Sequence, residues 1–183
     1  MIRTRVGYTG GTKESPTYYS LGDHSETVQL DFDPRVISYE ELLEVFFASH
    51  DSSYCGASRQ YMSVVFFHDA DQERLAKEAK AREEQKLGKD VQTQLIPAST
   101  FYLAEDYHQK YALQSDGVLM EDFRRMYPEF MDIVDSTAAT RANGYLYGYG
   151  TVEQLQGELD SLGLSQDANE NLLDRAGGLT GAG

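Results

Sequence analysis

Tryptophan is absent from these 183 residues, and cysteine occurs once, as Cys55. A lone thiol excludes an intrachain disulfide and fits a reducing compartment. It also leaves no cysteine pair for a zinc site, and the histidines His24, His50, His68 and His108 are scattered, no two at helical ligand spacing. Long apolar runs are missing as well. Val64 to Phe67 is as long as any, far too short to span a bilayer. After Met1-Ile2-Arg3-Thr4-Arg5 no apolar run follows, so no signal peptide is visible. Basic residues are few: 16 Lys and Arg face 30 Asp and Glu, for a net charge of -14. Such a surface repels phosphate, which argues against nucleic acid or an anionic membrane as partner. Gly7-Tyr8-Thr9-Gly10-Gly11 precedes no helix and so makes no phosphate loop. A soluble, cytoplasmic protein is expected, one domain long enough for a real core, with a tail.

What is present is organised around Gly22-Asp23-His24-Ser25-Glu26, which runs into the alternating stretch Thr27-Val28-Gln29-Leu30-Asp31-Phe32. That alternation predicts a strand over 27–32 with Glu26 at its start, on the side of Val28, Leu30 and Phe32. A carboxylate there is either a surface charge at the loop edge or a partly buried acid, and spacing alone favours the surface. Upstream, residues 2–8 read as a strand, followed by a loop with Pro16 and the pair Tyr18-Tyr19. Downstream, Ser38-Tyr39-Glu40-Glu41 matches a capping box, opening a helix with Tyr39, Leu42, Leu43, Phe46 and Phe47 along one face. Residues 62–67 read as a strand covered on both faces. Asp69 caps a charged helix over 70–87 that Gly88 ends. A strand over 91–96, a helix over 104–113 and one or two helices within 116–150 complete the domain, residues 1–150. Residues 151–183 read as an acidic appendage, helical in part and disordered at 177–183.

Several of these segments together resemble the peptide-methionine (S)-S-oxide reductase family. They are Arg5-Val6-Gly7-Tyr8-Thr9-Gly10-Gly11, Pro16-Thr17-Tyr18, His24-Ser25-Glu26 before a strand closing at Asp33-Pro34, and Ile37-Ser38-Tyr39-Glu40-Glu41-Leu42-Leu43. Gln60-Tyr61, Pro97-Ala98 with Phe101-Tyr102, and Ala104-Glu105-Asp106-Tyr107-His108-Gln109 follow in order. The match covers roughly residues 2–113. It implies an α+β fold, a two-layer split β-α-β, ferredoxin-like sandwich with C-terminal helices. It also implies a mechanism: a cysteine thiolate attacks the sulfoxide sulfur, methionine leaves, and the resulting sulfenic acid is reduced by thioredoxin or another thiol. No bound cofactor is implied. The substrate class is methionine sulfoxide, free or in peptides, and the role is protein repair under oxidative stress. By this resemblance Glu26 is the proton donor to the sulfoxide oxygen, and Tyr18 and Tyr61 are its hydrogen-bond donors.

The departures lie elsewhere. The family's nucleophile sits in a Gly-Cys-Phe-Trp motif ahead of the strand that here starts at Ile2, and no such motif occurs in residues 1–183. With it the family's first strand and helix are missing, so the resemblance implies an incomplete chain, a truncated product or a reading frame begun at an internal methionine. Cys55 is the one thiol that could substitute. Its neighbours Tyr54 and Gly56 do nothing to stabilise a thiolate, and it reads as an ordinary loop cysteine. Two readings stay open: a thiol-dependent oxidoreductase whose activity belongs to a longer form, and a non-catalytic sulfoxide- or peptide-binding remnant.

Overall fold

A computed structural model describes residues 1–54 and 58–180, with side chains through Gly178. Within this span lie β1 (Arg3–Thr9), β2 (Ser25–Asp31), α1 (Tyr39–Ala48), β3 (Val64–Phe67), α2 (Ala70–Leu87), β4 (Gln94–Pro97) and β5 (Tyr102–Leu103). There follow α3 (Tyr111–Gln114), α4 (Gly117–Met126), α5 (Phe130–Asp135), α6 (Thr137–Leu146), α7 (Val152–Leu162) and α8 (Gln166–Thr180). The class is α+β with small sheets. One sheet has the order β2-β1-β5, with β5 antiparallel to β1; the other pairs β3 with β4 in parallel, joined through α2. The chain divides into two compact units, one of Val6–Val28 and Phe32–Ala104, the other of Met1–Arg5, Gln29–Asp31 and Glu105–Gly183.

The first of these units carries the local signals read from the sequence. Ser38 accepts from the Glu41 backbone amide and the Glu41 carboxylate accepts from the Ser38 amide, so the capping box forms and α1 starts where it was expected. Its apolar stripe buries Leu43 and Phe47 against Ala76 and Ala79 of α2 and against Val91. Asp69 caps α2 by accepting from the Gln72 amide, and Gly88 ends it at φ 63, a left-handed turn that costs glycine no Cβ clash. A smaller cluster gathers Tyr8, Leu21 and Ala104, with Tyr18 packed against it.

Three strands here differ from expectation. β3 begins at Val64, and all four of its residues are half-buried instead of covered on both faces. β4 begins at Gln94, not at residue 91. The Val91 amide is taken by the Glu84 side chain and the Gln92 amide by the Ser52 carbonyl, so neither can enter the ladder. β2 begins earlier, at Ser25, which places Glu26 inside the strand.

In the second unit the expected helix over 104–113 is broken. A 3-10 turn spans Asp106–His108, and Lys110 takes φ 47 before α3 begins. A tertiary contact explains the break: the Lys110 ammonium is buried, donating to the Thr4 carbonyl at 2.6 Å, the Thr4 hydroxyl at 2.8 Å and the Thr140 hydroxyl at 2.9 Å. Residues 116–150 hold α4, α5 and α6 in place of one or two helices, because Ser136 both closes α5 and caps α6 through the Ala139 amide.

The acidic segment from Thr151 is not an appendage in the structure. Leu155 and Leu162 of α7 and Leu172 of α8 are buried in one core with Leu113, Leu119, Phe123 and Ile133. Charge dominates its composition, but the leucine spacing puts the apolar residues on one face of each helix. Asp122 accepts from the Ser165 amide at 2.7 Å, and Asn171 donates to Asp116 at 2.9 Å. α8 is helical through Thr180, against the disorder expected at 177–183, of which residues 181–183 lie outside the described residues.

Candidate functional site

Three segments of the first unit build the candidate site: the loop between β1 and β2, the start of β2, and the 3-10 turn Arg59–Tyr61. The loop is cross-linked by buried polar groups. His24 is 1% exposed, and its Nδ1 accepts from the Gly11 amide at 3.2 Å while its Nε2 lies 2.8 Å from the Lys13 carbonyl. A carbonyl can only accept, so Nε2 carries the proton and the ring is neutral. With both nitrogens engaged, His24 is a structural brace, not an acid or base. Next to it Asp23 accepts from the Thr12 amide at 2.8 Å, the Thr12 hydroxyl at 3.0 Å and the Lys13 amide at 3.3 Å. These donors, the Thr12 amide foremost, hold its carboxyl down to about 2. Packing here is close enough to require glycine: a Cβ on Gly11 would fall 2.6 Å from the Asp23 carboxylate and from the His24 backbone nitrogen.

Arg59 fastens the turn to this loop. Its Nε donates to the Asp23 carbonyl at 2.6 Å and its guanidinium to the Gly10 carbonyl at 2.8 Å. In return the Ser25 hydroxyl donates to the Arg59 carbonyl at 2.8 Å. Three anchors therefore set where residues 60 and 61 stand relative to β2.

The result is a contiguous polar cluster. Gln60 Nε2 donates to Glu26 Oε1 at 2.6 Å and to the Tyr61 hydroxyl at 3.0 Å. Tyr61 is hydrogen-bonded to Tyr18, and that bond, followed by partial burial and the Glu26 charge, raises its phenol above the ordinary tyrosine range. Tyr61 is 60% exposed, so the cluster opens to solvent. Tyr18 also stands edge-on to the exposed Tyr19, ring centroids 5.3 Å apart. An acid, two phenols and an amide at hydrogen-bonding distances can protonate and polarise a single acceptor oxygen.

Glu26, Tyr18 and Tyr61, the residues singled out in the sequence, are thus brought together. Cys55 lies outside the described residues. Gln60 was read only as part of a Gln-Tyr motif; its adjacency to Tyr61 was the one signal for its place between the acid and the phenol. Among the described residues no three His, Cys, Asp or Glu side chains gather as metal ligands would.

The family model described as peptide methionine sulfoxide reductase matches residues 1–134. The chain is similar to the Drosophila melanogaster peptide methionine sulfoxide reductase, 38% identical over 167 residues that cover 90% of this chain and 67% of that protein. It is also similar to the Arabidopsis thaliana peptide methionine sulfoxide reductase A5, 40% identical over 79% of this chain and 59% of that one. The chain therefore spans about two thirds or less of these relatives. Among solved structures, reduced Mxr1 from Saccharomyces cerevisiae aligns with a TM-score of 0.57 at 30% identity, over 62% of this chain and 70% of that one. Methionine sulfoxide reductase A of Corynebacterium diphtheriae aligns with a TM-score of 0.54 at 28% identity, over 63% and 64%.

Proposed function

The chain belongs to the peptide methionine sulfoxide reductase family, and from that premise we propose that its Glu26 cluster is the sulfoxide-activating half of a reductase site. The observation that carries the reading is the linked set Glu26–Gln60–Tyr61–Tyr18. In this reading the oxygen of methionine (S)-sulfoxide accepts hydrogen bonds from the Tyr18 and Tyr61 hydroxyls and a proton from Glu26. Sulfoxide oxygen leaves poorly until it is protonated, so the acid lowers the barrier to cleavage of the S–O bond. Turnover also needs a thiolate that attacks the sulfoxide sulfur; the protonated oxygen then passes from that sulfur to the cysteine sulfur as methionine departs, so the sulfoxide is reduced by two electrons and the cysteine is oxidised by two to a sulfenic acid. A thiol reductant, thioredoxin in the family's pattern, then returns it to the thiol.

Cys55 is the sole cysteine of these 183 residues, and we do not assign it that attack. The chain as given is therefore proposed to recognise and polarise a sulfoxide while turning it over slowly or not at all. For the fold we propose the split β-α-β, ferredoxin-like arrangement from family membership alone; β3 and β4, parallel and joined through α2, are direct neighbours with no strand between them. The reading is tested by NMR titration of the isotope-labelled chain with a peptide containing methionine (S)-sulfoxide, and with the same peptide carrying methionine. Resonances of Tyr18, Glu26, Gln60 and Tyr61 are expected to shift with the sulfoxide and not with the thioether. Equal responses to both peptides, or none to either, would overturn the assignment.

A further inference from the structure

Outside the cluster the molecule offers weaker candidates. The buried Lys110 is fully engaged by Thr4 and Thr140, as a structural ammonium would be. The exposed Tyr147 and Tyr149 form an aromatic surface with nothing to say what covers it. Gln60 carries more. Its side-chain nitrogen has two N–H groups, and two acceptors face it, Glu26 Oε1 at 2.6 Å and the Tyr61 oxygen at 3.0 Å.

We propose that Gln60 is a positioning residue that decides which oxygen of Glu26 bears the transferable proton and which way the Tyr61 hydroxyl points. This rests on the reading of Glu26 as the proton donor. A protonated carboxyl has one oxygen that accepts and one that carries hydrogen. Because an N–H already fills Oε1, the proton is placed on Oε2, the oxygen turned away from Gln60. At Tyr61 the second N–H occupies the phenol oxygen from one side. The Tyr61 hydrogen is thereby directed to Tyr18. One amide thus orders the acid and the phenol it touches before any ligand arrives, and the Tyr61 hydrogen turns from Tyr18 to the sulfoxide oxygen only once that oxygen is bound. Such prior alignment is what a proton donor requires, since small angular errors in the reacting geometry are costly. Arg59, Ser25 and Asp23 hold the turn in place, so Gln60 works from a fixed backbone.

The test uses the 183-residue chain with 15N-glutamine and tyrosine labelled at Cζ. In the native chain both Gln60 side-chain protons are expected to follow a carboxyl titration, and Glu26→Gln, which keeps the shape, should abolish that step. In Gln60→Ala, with the backbone spectrum otherwise unchanged, the Tyr61 phenol should titrate still higher, because a donor to the phenolate is lost. Tyr147 serves as an unmoved control. Gln60 protons that ignore Glu26→Gln, or a Tyr61 titration unaltered by Gln60→Ala, would overturn the inference. These outcomes are separate from the sulfoxide titration above: the amide signature can persist when no sulfoxide binds, and sulfoxide can bind when it is absent.

Discussion

Lys110 shows what one buried charge does to this molecule. Burial, foremost, pushes its ammonium down from an ordinary 10.5 to about 8, with Asp135 opposing the shift and Arg5 adding to it. Between those values the unfolded chain holds a proton that the folded chain has released. Stability therefore rises with pH across this window, while below it the buried charge is a constant cost. The full swing is on the order of 3 kcal/mol. Urea midpoints measured between pH 7.5 and 10.5 should show this rise in the native chain, and Lys110→Met should remove that component. At the site, Arg59 is the residue whose loss is felt at a distance. Arg59→Ala leaves the Gly10 and Asp23 carbonyls without their guanidinium and frees the turn carrying Gln60 and Tyr61. The selective response of Tyr61 to a sulfoxide peptide should weaken roughly tenfold, in keeping with one lost charge-assisted hydrogen-bonding group, whose net worth is about 1.5–3 kcal/mol.

At the scale of elements, α7 and α8 are part of the fold of their unit. Leu155 and Leu172 are fully buried, so Leu155→Ala and Leu172→Ala should each destabilise by about 2–5 kcal/mol, read from chemical denaturation. Exposed substitutions on the same helices, such as Glu170→Gln, should stay within about 0.5 kcal/mol. These helices also mark the boundary of what could be read in advance. Local devices were legible: Ser38 with Glu41, and Asp69 with Gly88, set their helix ends through residues three or four positions apart and appear where the pattern placed them. Elements shaped by distant contacts were not. The break at Lys110 depends on Thr4 and Thr140, and the late start of β4 depends on Glu84 and Ser52. In α7 and α8 the acidic composition concealed the leucine face. The same division holds at the site. Tyr18, Glu26 and Tyr61 were marked by a pattern of segments. Gln60's role arises from two hydrogen bonds that no spacing encodes, one of them to Glu26, 34 positions away.

For the whole molecule, the proposed function separates activation of a sulfoxide from attack upon it. The acid, the phenols and the amide that aligns them lie within these residues, whereas the family's Gly-Cys-Phe-Trp motif does not. Turnover of a methionine (S)-sulfoxide peptide with dithiothreitol, compared between the 183-residue chain and the same chain extended upstream by a relative's Gly-Cys-Phe-Trp segment, tests this most directly. The account predicts little or no turnover by the chain alone, and turnover by the extended form that falls roughly 10²–10⁴-fold on Glu26→Gln. Robust turnover by the chain alone that Cys55→Ser abolishes would contradict it, as would a folded, active extended form indifferent to Glu26→Gln.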